Sequence, residues 1–309
     1  MNSRLKILVG LYFGSMVLSG LLSPWVYWGV IKVSEGSSLE IITYLAQKEF
    51  PDYFDRFRWL AVLLGFPWLV KACLNRGEER KHFWRKIGFF AFRNSQKTLI
   101  RSFIIGSLLI LSVVIAQIIA GQFYWRETFY QNMGSLFLNS LLGAILVSVF
   151  EEGLFRGVLF RIFLSFFRPI IAIIVGALFF AYVHFKMPDI FWESTSKEVY
   201  WYSGLQVAWG TLTGLAYTFR WVEFINLTLL GIILSSWTYQ RQQLWSAIGF
   251  HAGAVFILLL AHRSFQIKGI EWAWFFGSSS IKDGFLCTIL LAILVLWNFF
   301  RVPLKKIFD

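Results

Sequence analysis

The sequence predicts an all-α polytopic membrane protein, a bundle of about eight transmembrane helices, or nine, around an intramembrane cavity. Composition, hydropathy and the placement of charge predict it. Of the 309 residues, 57% are hydrophobic, 19% are aromatic and only 15% are charged. The mean hydropathy is +0.63. Charged residues lie in short runs between uncharged stretches, so a soluble globular domain, a disordered chain and a disulfide scaffold are excluded.

Uncharged stretches of transmembrane length follow one another along the chain. The first is longer than a signal-peptide core and lacks a small-residue cleavage pattern, so we interpret it as a membrane anchor. The second is short and crosses only if Arg58 and Lys71 extend their charged ends to the interface. The glycine-containing stretch 199–219 fits either a full crossing or an interfacial segment, and that choice sets the side of the C-terminus. Lys305 and Lys306 favour eight crossings with both ends inside. The stretches are 7–31, 59–70, 102–125, 128–150, 169–185, 199–219, 224–240, 242–261 and 284–300.

The net charge of +12 is concentrated in one segment. Residues 71–101 contain nine basic and two acidic residues, a local net charge of +7. Between apolar stretches, such a segment is typical of a cytoplasmic loop under the positive-inside rule. Its mixture of basic residues with Phe83, Trp84, Ile87 and Phe90 suits a helix on an anionic membrane surface. We therefore expect lipid rather than nucleic acid as its partner. Cys73 and Cys287 show no CxxC spacing and give no redox information.

Five ionisable residues lie inside apolar stretches, where a charge costs about 2.5–3.5 kcal/mol and is seldom kept without a partner or a task. Glu152 and Arg156 are four residues apart and therefore face one another on a helix. Glu151 lies about 100 degrees around the helix from Glu152 and points elsewhere. The remaining two are His184 and His251.

The spacing of these residues predicts that they converge. With a turn at residues 167–169, Glu151 and His184 lie about equally far along antiparallel helices, at roughly 25 Å from that turn. His251 follows the polar turn 240–243 and is expected about 13–15 Å below it. A carboxylate beside an imidazole has the ingredients for general-base activation of water, and a second imidazole can stabilise an oxyanion. The HExxH, GxSG and GxGD motifs of other membrane protease chemistries are absent from the sequence.

Three motifs resemble the CAAX protease and bacteriocin-processing (CPBP, or Abi) family, which includes the type II CAAX prenyl endopeptidases. Residues 151–156 are similar to its EExxxR motif, residues 180–184 to FxxxH, and residues 251–255 to HxxxN. The similarity extends over about residues 136–260. The third motif departs from the family, because Val255 replaces the asparagine and removes one oxyanion donor.

The resemblance implies an eight-helix intramembrane endopeptidase. Glu151 would activate water with help from His184, and His251 would hold the oxyanion, while Glu152 and Arg156 would shape the site. No cofactor is expected, although Glu151, His184 and His251 would be the ligands if a divalent metal such as zinc were used. The partners would be the lipid bilayer and a peptide or protein substrate with a membrane-proximal cleavage site.

The resemblance also divides the chain and leaves alternatives open. We expect N-terminal transmembrane helices over 1–127, a protease core over 128–265, and a C-terminal transmembrane helix and tail over 266–309. The location would be a bacterial inner (plasma) membrane. The alternatives are a catalytically inactive scaffold or immunity protein of the same family and, with less support, a proton-coupled transporter, since no repeated halves are found.

Overall fold

Apolar α-helices build the fold, as the sequence predicts. In this computed structural model the described residues are 3–36, 38–73, 82–90, 92–126, 133–184, 198–217, 220–267, 271–278 and 281–301. Within them, five helices are long and apolar enough to cross a membrane and two further apolar helices are shorter. The protein is thus an all-α polytopic membrane protein, while the number of eight crossings stays a prediction. The five are Lys6–Ser34, Phe92–Ile119, Met133–Phe163, Trp221–Arg241 and Trp245–Ser264, and the shorter two are Pro169–Val183 and Phe285–Phe300.

The first compact unit comprises Met1–Arg76 and His184–Phe219. Its core packs Met16, Phe50 and Phe54 against Val207 and Ala208. The long first helix and the helix near residue 204 approach at two glycines, where a side chain on Gly204 would lie 2.1 Å from the carbonyl oxygen of Gly20. The helices are α1 (Ser3–Ser34), α2 (Glu40–Ala46), α3 (Phe50–Leu64), α4 (Phe66–Cys73) and α10 (Ser203–Tyr217).

The uncharged stretch 59–70 is not one helix. It is divided at Gly65 between α3 and α4. Pro67 lies in the first turn of α4, where its missing N–H cannot continue the hydrogen bonding of the preceding helix. Neither α3, with 15 residues, nor α4, with 8, is long enough by itself to cross a membrane.

The second compact unit comprises Gly77–Val183 and Arg220–Asp309. A π-helix, the π-segment Gly153–Leu159, continues directly from α7 into α8. The helices are α5 (Phe83–Lys86), α6 (Phe92–Ile119), α7 (Met133–Glu152), α8 (Phe160–Phe163), α9 (Pro169–Val183), α11 (Trp221–Arg241), α12 (Trp245–Ser264), α13 (Ala273–Phe276) and α14 (Phe285–Arg301). The strands are β1 (Phe123–Trp125) and β2 (Phe265–Ile267).

Glycines allow α6 and α12 to pack in backbone contact. A Cβ on Gly253 would lie 2.0 Å from the carbonyl oxygen of Phe103, and one on Gly249 would lie 2.3 Å from that of Leu99. Helices in membranes associate through such small residues because close packing replaces the hydrophobic driving force. This contact fixes the position of the stretch of α12 between the two glycines.

The turn predicted at residues 167–169 is confirmed, because α8 ends at Phe163 and α9 begins at Pro169. The end of α8 lies beside the end of α11, where Arg161 donates a 2.8 Å hydrogen bond to Gln242. Further along, Gly231 of α11 packs on Ala177 of α9. Helices α9 and α11 are therefore antiparallel, and residues 184–219 leave and re-enter this unit at the same end.

The basic segment predicted as a loop over 71–101 is shorter than expected. Helix α6 begins at Phe92, so Arg93, Lys97 and Arg101 are helical. The prediction placed the helix start at the first uncharged stretch, but long basic side chains are tolerated in the first turns of a membrane helix because their charged ends reach the interface. We call the end of this unit where α6 begins and α11 ends the basic end.

A small β-ladder was not predicted. β1 and β2 pair antiparallel, with Tyr124 opposite Gln266. The strands directly follow α6 and α12, and Arg126 donates a 3.0 Å hydrogen bond to the carbonyl oxygen of Phe265. The ladder ties these two helices together at the end of the unit opposite the basic end.

Candidate active site

Three helices of the second unit bring the predicted polar residues together. Glu151 and Glu152 end α7, Arg156 lies in the π-segment, and His251 lies in α12. Because α12 begins at Trp245, after a turn in which Gln242 has a left-handed φ of 56°, His251 is only about 9 Å along the helix. The predicted depth of about 13–15 Å below the turn was too large.

The pair of Glu152 and Arg156 forms a buried ion pair, as the four-residue spacing predicts. The guanidinium Nη1 of Arg156 is 2.9 Å from Glu152 Oε1. Arg156 is 1% exposed and Glu152 is 0% exposed. The guanidinium carbon also lies 4.0 Å from the ring centre of Phe180, in cation–π contact. Phe180 is the phenylalanine of the second motif, so its ring supports the arginine of the first.

His251 is held by the same carboxylate. Its Nδ1 is 2.8 Å from Glu152 Oε1, and the imidazole packs edge-on against Phe180. Since a carboxylate paired with an arginine offers only acceptors, Nδ1 carries the hydrogen and donates it. The ring orientation is thus fixed, and Nε2 is directed away from Glu152.

Glu151 faces that second nitrogen. Its Oε2 is 3.9 Å from His251 Nε2, which is too long for a direct hydrogen bond. The Glu151 side chain is 16% exposed, whereas those of Glu152 and His251 are 0% and 5% exposed. Glu151 is therefore the more accessible of the two carboxylates, although the Oε2 atom that faces His251 is itself buried. The prediction that Glu151 points away from Glu152 agrees with this arrangement, although both contact the same imidazole.

Some buried polar atoms in and beside the cluster lack a hydrogen-bond partner. Among the described residues, Glu152 Oε2, Arg156 Nη2 and the hydroxyl of Ser148 have no hydrogen-bond partner. Such atoms are rare in native structures unless water or a ligand satisfies them. The site is therefore suited to hold water or polar groups of a substrate.

Sequence reasoning missed the wall beside the π-segment. Ile87 packs at 3.3 Å against the position a side chain on Gly157 would take, and Phe89 packs at the same distance beside Gly153. Ile87 is 1% and Phe83 3% exposed, so the basic segment docks here as well as presenting Trp84 outward. The two glycines, four residues apart, were the available signal, because glycine marks close approach.

The last residues of the second and third motifs are His184 and Val255. His184 follows α9, is half-buried, and belongs to the first unit, so its predicted meeting with Glu151 stays a prediction. Val255 lies one helical turn after His251 and is half-buried.

Two residues of the cluster are of types that bind zinc. Catalytic zinc typically has three protein ligands. Glu151 and His251 would provide two of these ligands, and the described residues contain no group of three histidine, cysteine or acidic side chains positioned to hold a metal.

Comparison with known proteins identifies the segment that carries this cluster. No curated protein and no solved structure matched the chain. A family model described as "Type II CAAX prenyl endopeptidase Rce1-like" matches residues 133–257. The match runs from the start of α7 into α12 and includes all five predicted site residues. Residues 133–257 therefore match an Rce1-like family model, in agreement with the resemblance of the three motifs to the CAAX protease group.

Proposed function

We propose that the protein hydrolyses a peptide bond near the membrane surface with water activated by Glu151. The family supports an intramembrane endopeptidase of the CAAX type in general. The observation that carries the mechanism is the pairing of an accessible carboxylate with an imidazole that a buried ion pair holds in place. A separation of 3.9 Å lets one water contact both groups.

In the proposed reaction, Glu151 accepts a proton from water while the water oxygen bonds to the peptide carbonyl carbon. The carbonyl electron pair moves to its oxygen, and the resulting oxyanion needs hydrogen-bond donors. Glu151 then delivers the proton to the amide nitrogen, the C–N bond breaks, and the electron pair leaves with the amine. The products are a carboxylic acid and an amine, so no oxidant or reductant is required.

His251 is proposed to hold the oxyanion. With hydrogens on both nitrogens, the imidazole donates to Glu152 through Nδ1 and to the substrate oxygen through Nε2. In this form it also balances charge, because Glu151 and Glu152 carry two negative charges and Arg156 one positive charge. Glu152, Arg156 and Phe180 are positioning residues, since they act through His251. His184, the histidine of the second motif, is proposed to assist Glu151.

The proposed substrate is a membrane-associated peptide or protein, and the proposed location is a bacterial inner membrane. The protein is an integral multi-pass membrane protein. A cluster about 9 Å along α12 from the basic end supports cleavage near one membrane surface rather than at mid-bilayer.

The role of Glu151 is tested by Glu151→Gln. The probe is a peptide with an isoprenylated cysteine followed by a short C-terminal tail, and mass spectrometry measures release of the tail by the full-length protein in vesicles. We expect kcat to fall by about 10²–10⁴-fold, the usual contribution of a general base. Glu271→Gln, at an exposed acid, is the matched control and keeps full activity.

Two outcomes contradict the proposal. Full turnover by Glu151→Gln removes the general-base role. No cleavage of any peptide by the unaltered protein supports the inactive scaffold instead, the reading that Val255 in place of asparagine favours.

The metal-free form of the proposal has its own test. Activity is expected to persist after chelation, and the purified protein is expected to contain no stoichiometric zinc by elemental analysis. Loss of activity on chelation with recovery on adding zinc overturns this form and leaves Glu151, His184 and His251 as the ligands.

A further inference from the structure

A cavity with polar side chains in its lining lies at the basic end, and none of the candidate active-site residues lines it. It has a volume of about 410 Å³ and is formed by four helices of the second unit. Helices α6 and α12 begin there, and α11 and α14 end there. Its polar lining includes Thr98, Arg101, Ser102, Arg241, Ser246 and Asn298. Ser246 precedes His251 by five residues and so lies about 140 degrees around α12 from it.

The charge of the cavity favours an anion. Arg101 and Arg241 both line it, no acidic residue does, and neither arginine forms an ion pair with an acidic group in the part of the chain that the structure describes. Both guanidinium groups are exposed and available to a ligand. Arginine binds phosphate through paired, parallel hydrogen bonds.

A buried hydroxyl points to the same kind of ligand. Ser246 is 2% exposed, and its Oγ has no hydrogen-bond partner among the described residues. A buried hydroxyl without a partner is unfavourable because it has lost its hydrogen bonds to water. A phosphate oxygen in the cavity would satisfy it. Asn298 is anchored by Trp237, whose Nε1 donates a 3.0 Å hydrogen bond to Oδ1, so the cavity floor is already ordered.

The surroundings favour a lipid over a soluble phosphate. Ile105 and Trp297 also line the cavity, and Trp297 is 43% exposed. Beside and beyond the cavity on α6, exposed side chains are apolar: Ile104 is 50% exposed and Leu108 is 58% exposed. Tryptophan at a helix end is typical of the headgroup level of a bilayer. Acyl chains could thus lie along α6 while the headgroup enters the cavity.

We propose that this cavity binds the phosphodiester group of an anionic phospholipid, with Arg101 and Arg241 pairing the phosphate and Ser246 donating to it. The site lies where α6 and α12 begin. A lipid bound there braces the helix that carries His251 without touching the reacting groups. The inference does not depend on peptidase activity.

The experiment measures binding of dioleoylphosphatidylglycerol to the full-length protein in detergent by native mass spectrometry. The double variant Arg101→Gln/Arg241→Gln is expected to bind it roughly ten- to thirtyfold more weakly, from about 1 kcal/mol per basic residue. Arg93→Gln/Lys97→Gln removes the same charge from exposed positions of the same helix outside the cavity, and is expected to bind within about twofold of the unaltered protein.

A second variant separates recognition from folding. Ser246→Ala is expected to weaken lipid binding several-fold without lowering the melting temperature of the lipid-free protein, because it removes an unpaired buried hydroxyl. Equal loss in the Arg93→Gln/Lys97→Gln control overturns the proposal by showing only surface charge. Equal binding of dioleoylglycerol, which lacks the phosphate, overturns it as well. Binding of inorganic phosphate alone, with displacement of the lipid, overturns the assignment to a lipid.

Discussion

At the scale of single residues, the site depends on one carboxylate with two partners. Glu152 Oε1 accepts both from Arg156 at 2.9 Å and from His251 at 2.8 Å, and all three side chains are buried. Removing one member of a buried ion pair costs more than removing both, because an uncompensated charge remains. Stability and ring orientation are therefore coupled through this carboxylate.

Arg156→Met should lower the free energy of unfolding by about 3–5 kcal/mol, because Glu152 would lose its ion pair in a buried site. Thermal or denaturant melting in mild detergent measures this. The double variant Glu152→Gln/Arg156→Met removes both charges, so it should recover most of the stability while peptidase activity stays low. If the Arg156→Met variant were as stable as the unaltered protein, a buried ion pair between Glu152 and Arg156 would be contradicted.

The sequence predicted part of this arrangement. Spacing alone gave the pairing of Glu152 with Arg156. Equal depth along antiparallel helices concerned Glu151 and His184, and their meeting stays a prediction. The sequence did not predict that His251 would bind Glu152, nor that Phe180 would lie against Arg156. Those contacts depend on the rotation of α12 and α9 about their axes, and uniformly apolar helices carry little amphipathic pattern from which to read it.

At the scale of elements, α6 and α12 form the closest helix pair described around the site. His251 lies midway between Gly249 and Gly253, where an added Cβ would meet the backbone of α6. Any side chain at these glycines must push the two helices apart. The position of the imidazole therefore depends on residues that make no contact with it.

Gly253→Ala should destabilise the protein by about 1–3 kcal/mol, as overpacking does, because the new methyl group would meet the carbonyl oxygen of Phe103. Its peptidase activity should fall with it, since α12 carries His251. Melting in detergent and tail release are the measurements. Gly14→Ala is the control within a helix: no atom lies within 4 Å of its new Cβ. That control should be neutral or more stable by up to about 1 kcal/mol. Equal behaviour of the two variants would refute close packing at Gly253.

Element boundaries were predicted unevenly. The turn before Pro169 was readable because proline favours the first turn of a helix. The start of α6 at Phe92 and the division at Gly65 were not, since hydropathy marks where charge stops rather than where hydrogen bonding starts. The β-ladder was missed because three-residue strands carry too little pattern.

At the scale of the whole molecule, helix directions in the second unit determine its topology. Helices α11 and α14 run parallel, since Asn226 binds the carbonyl oxygen of Gly284 near their starts and Trp237 binds Asn298 near their ends. Both end at the basic end, which the positive-inside rule assigns to the cytoplasm. The choice between a full crossing and an interfacial segment for the stretch 199–219 stays a prediction.

A C-terminal tag should therefore be cytoplasmic, and a tag inserted within 127–132, between β1 and α7, should lie on the opposite face. Protease digestion of sealed, right-side-out vesicles measures this, with the inserted tag cleaved and the C-terminal tag protected until detergent is added. Cleavage of both tags before detergent would show that the helix directions do not correspond to membrane crossings.

The π-segment shifts the helical phase within the long helix Met133–Phe163. A π turn contains one residue more than an α turn, so side chains beyond it are rotated by about 100 degrees relative to an uninterrupted helix. Glu151 and Glu152 lie before that phase shift, and Phe160 and Ile162, which are 1% exposed, lie after it. No single helical wheel drawn through Met133–Phe163 can describe both halves. Because an α turn holds one residue fewer than a π turn, losing one residue between them would convert the π turn to an α turn and leave both halves facing as they do now. A one-residue gap here would therefore signify loss of the π turn rather than a new neighbourhood for Glu151 and Glu152.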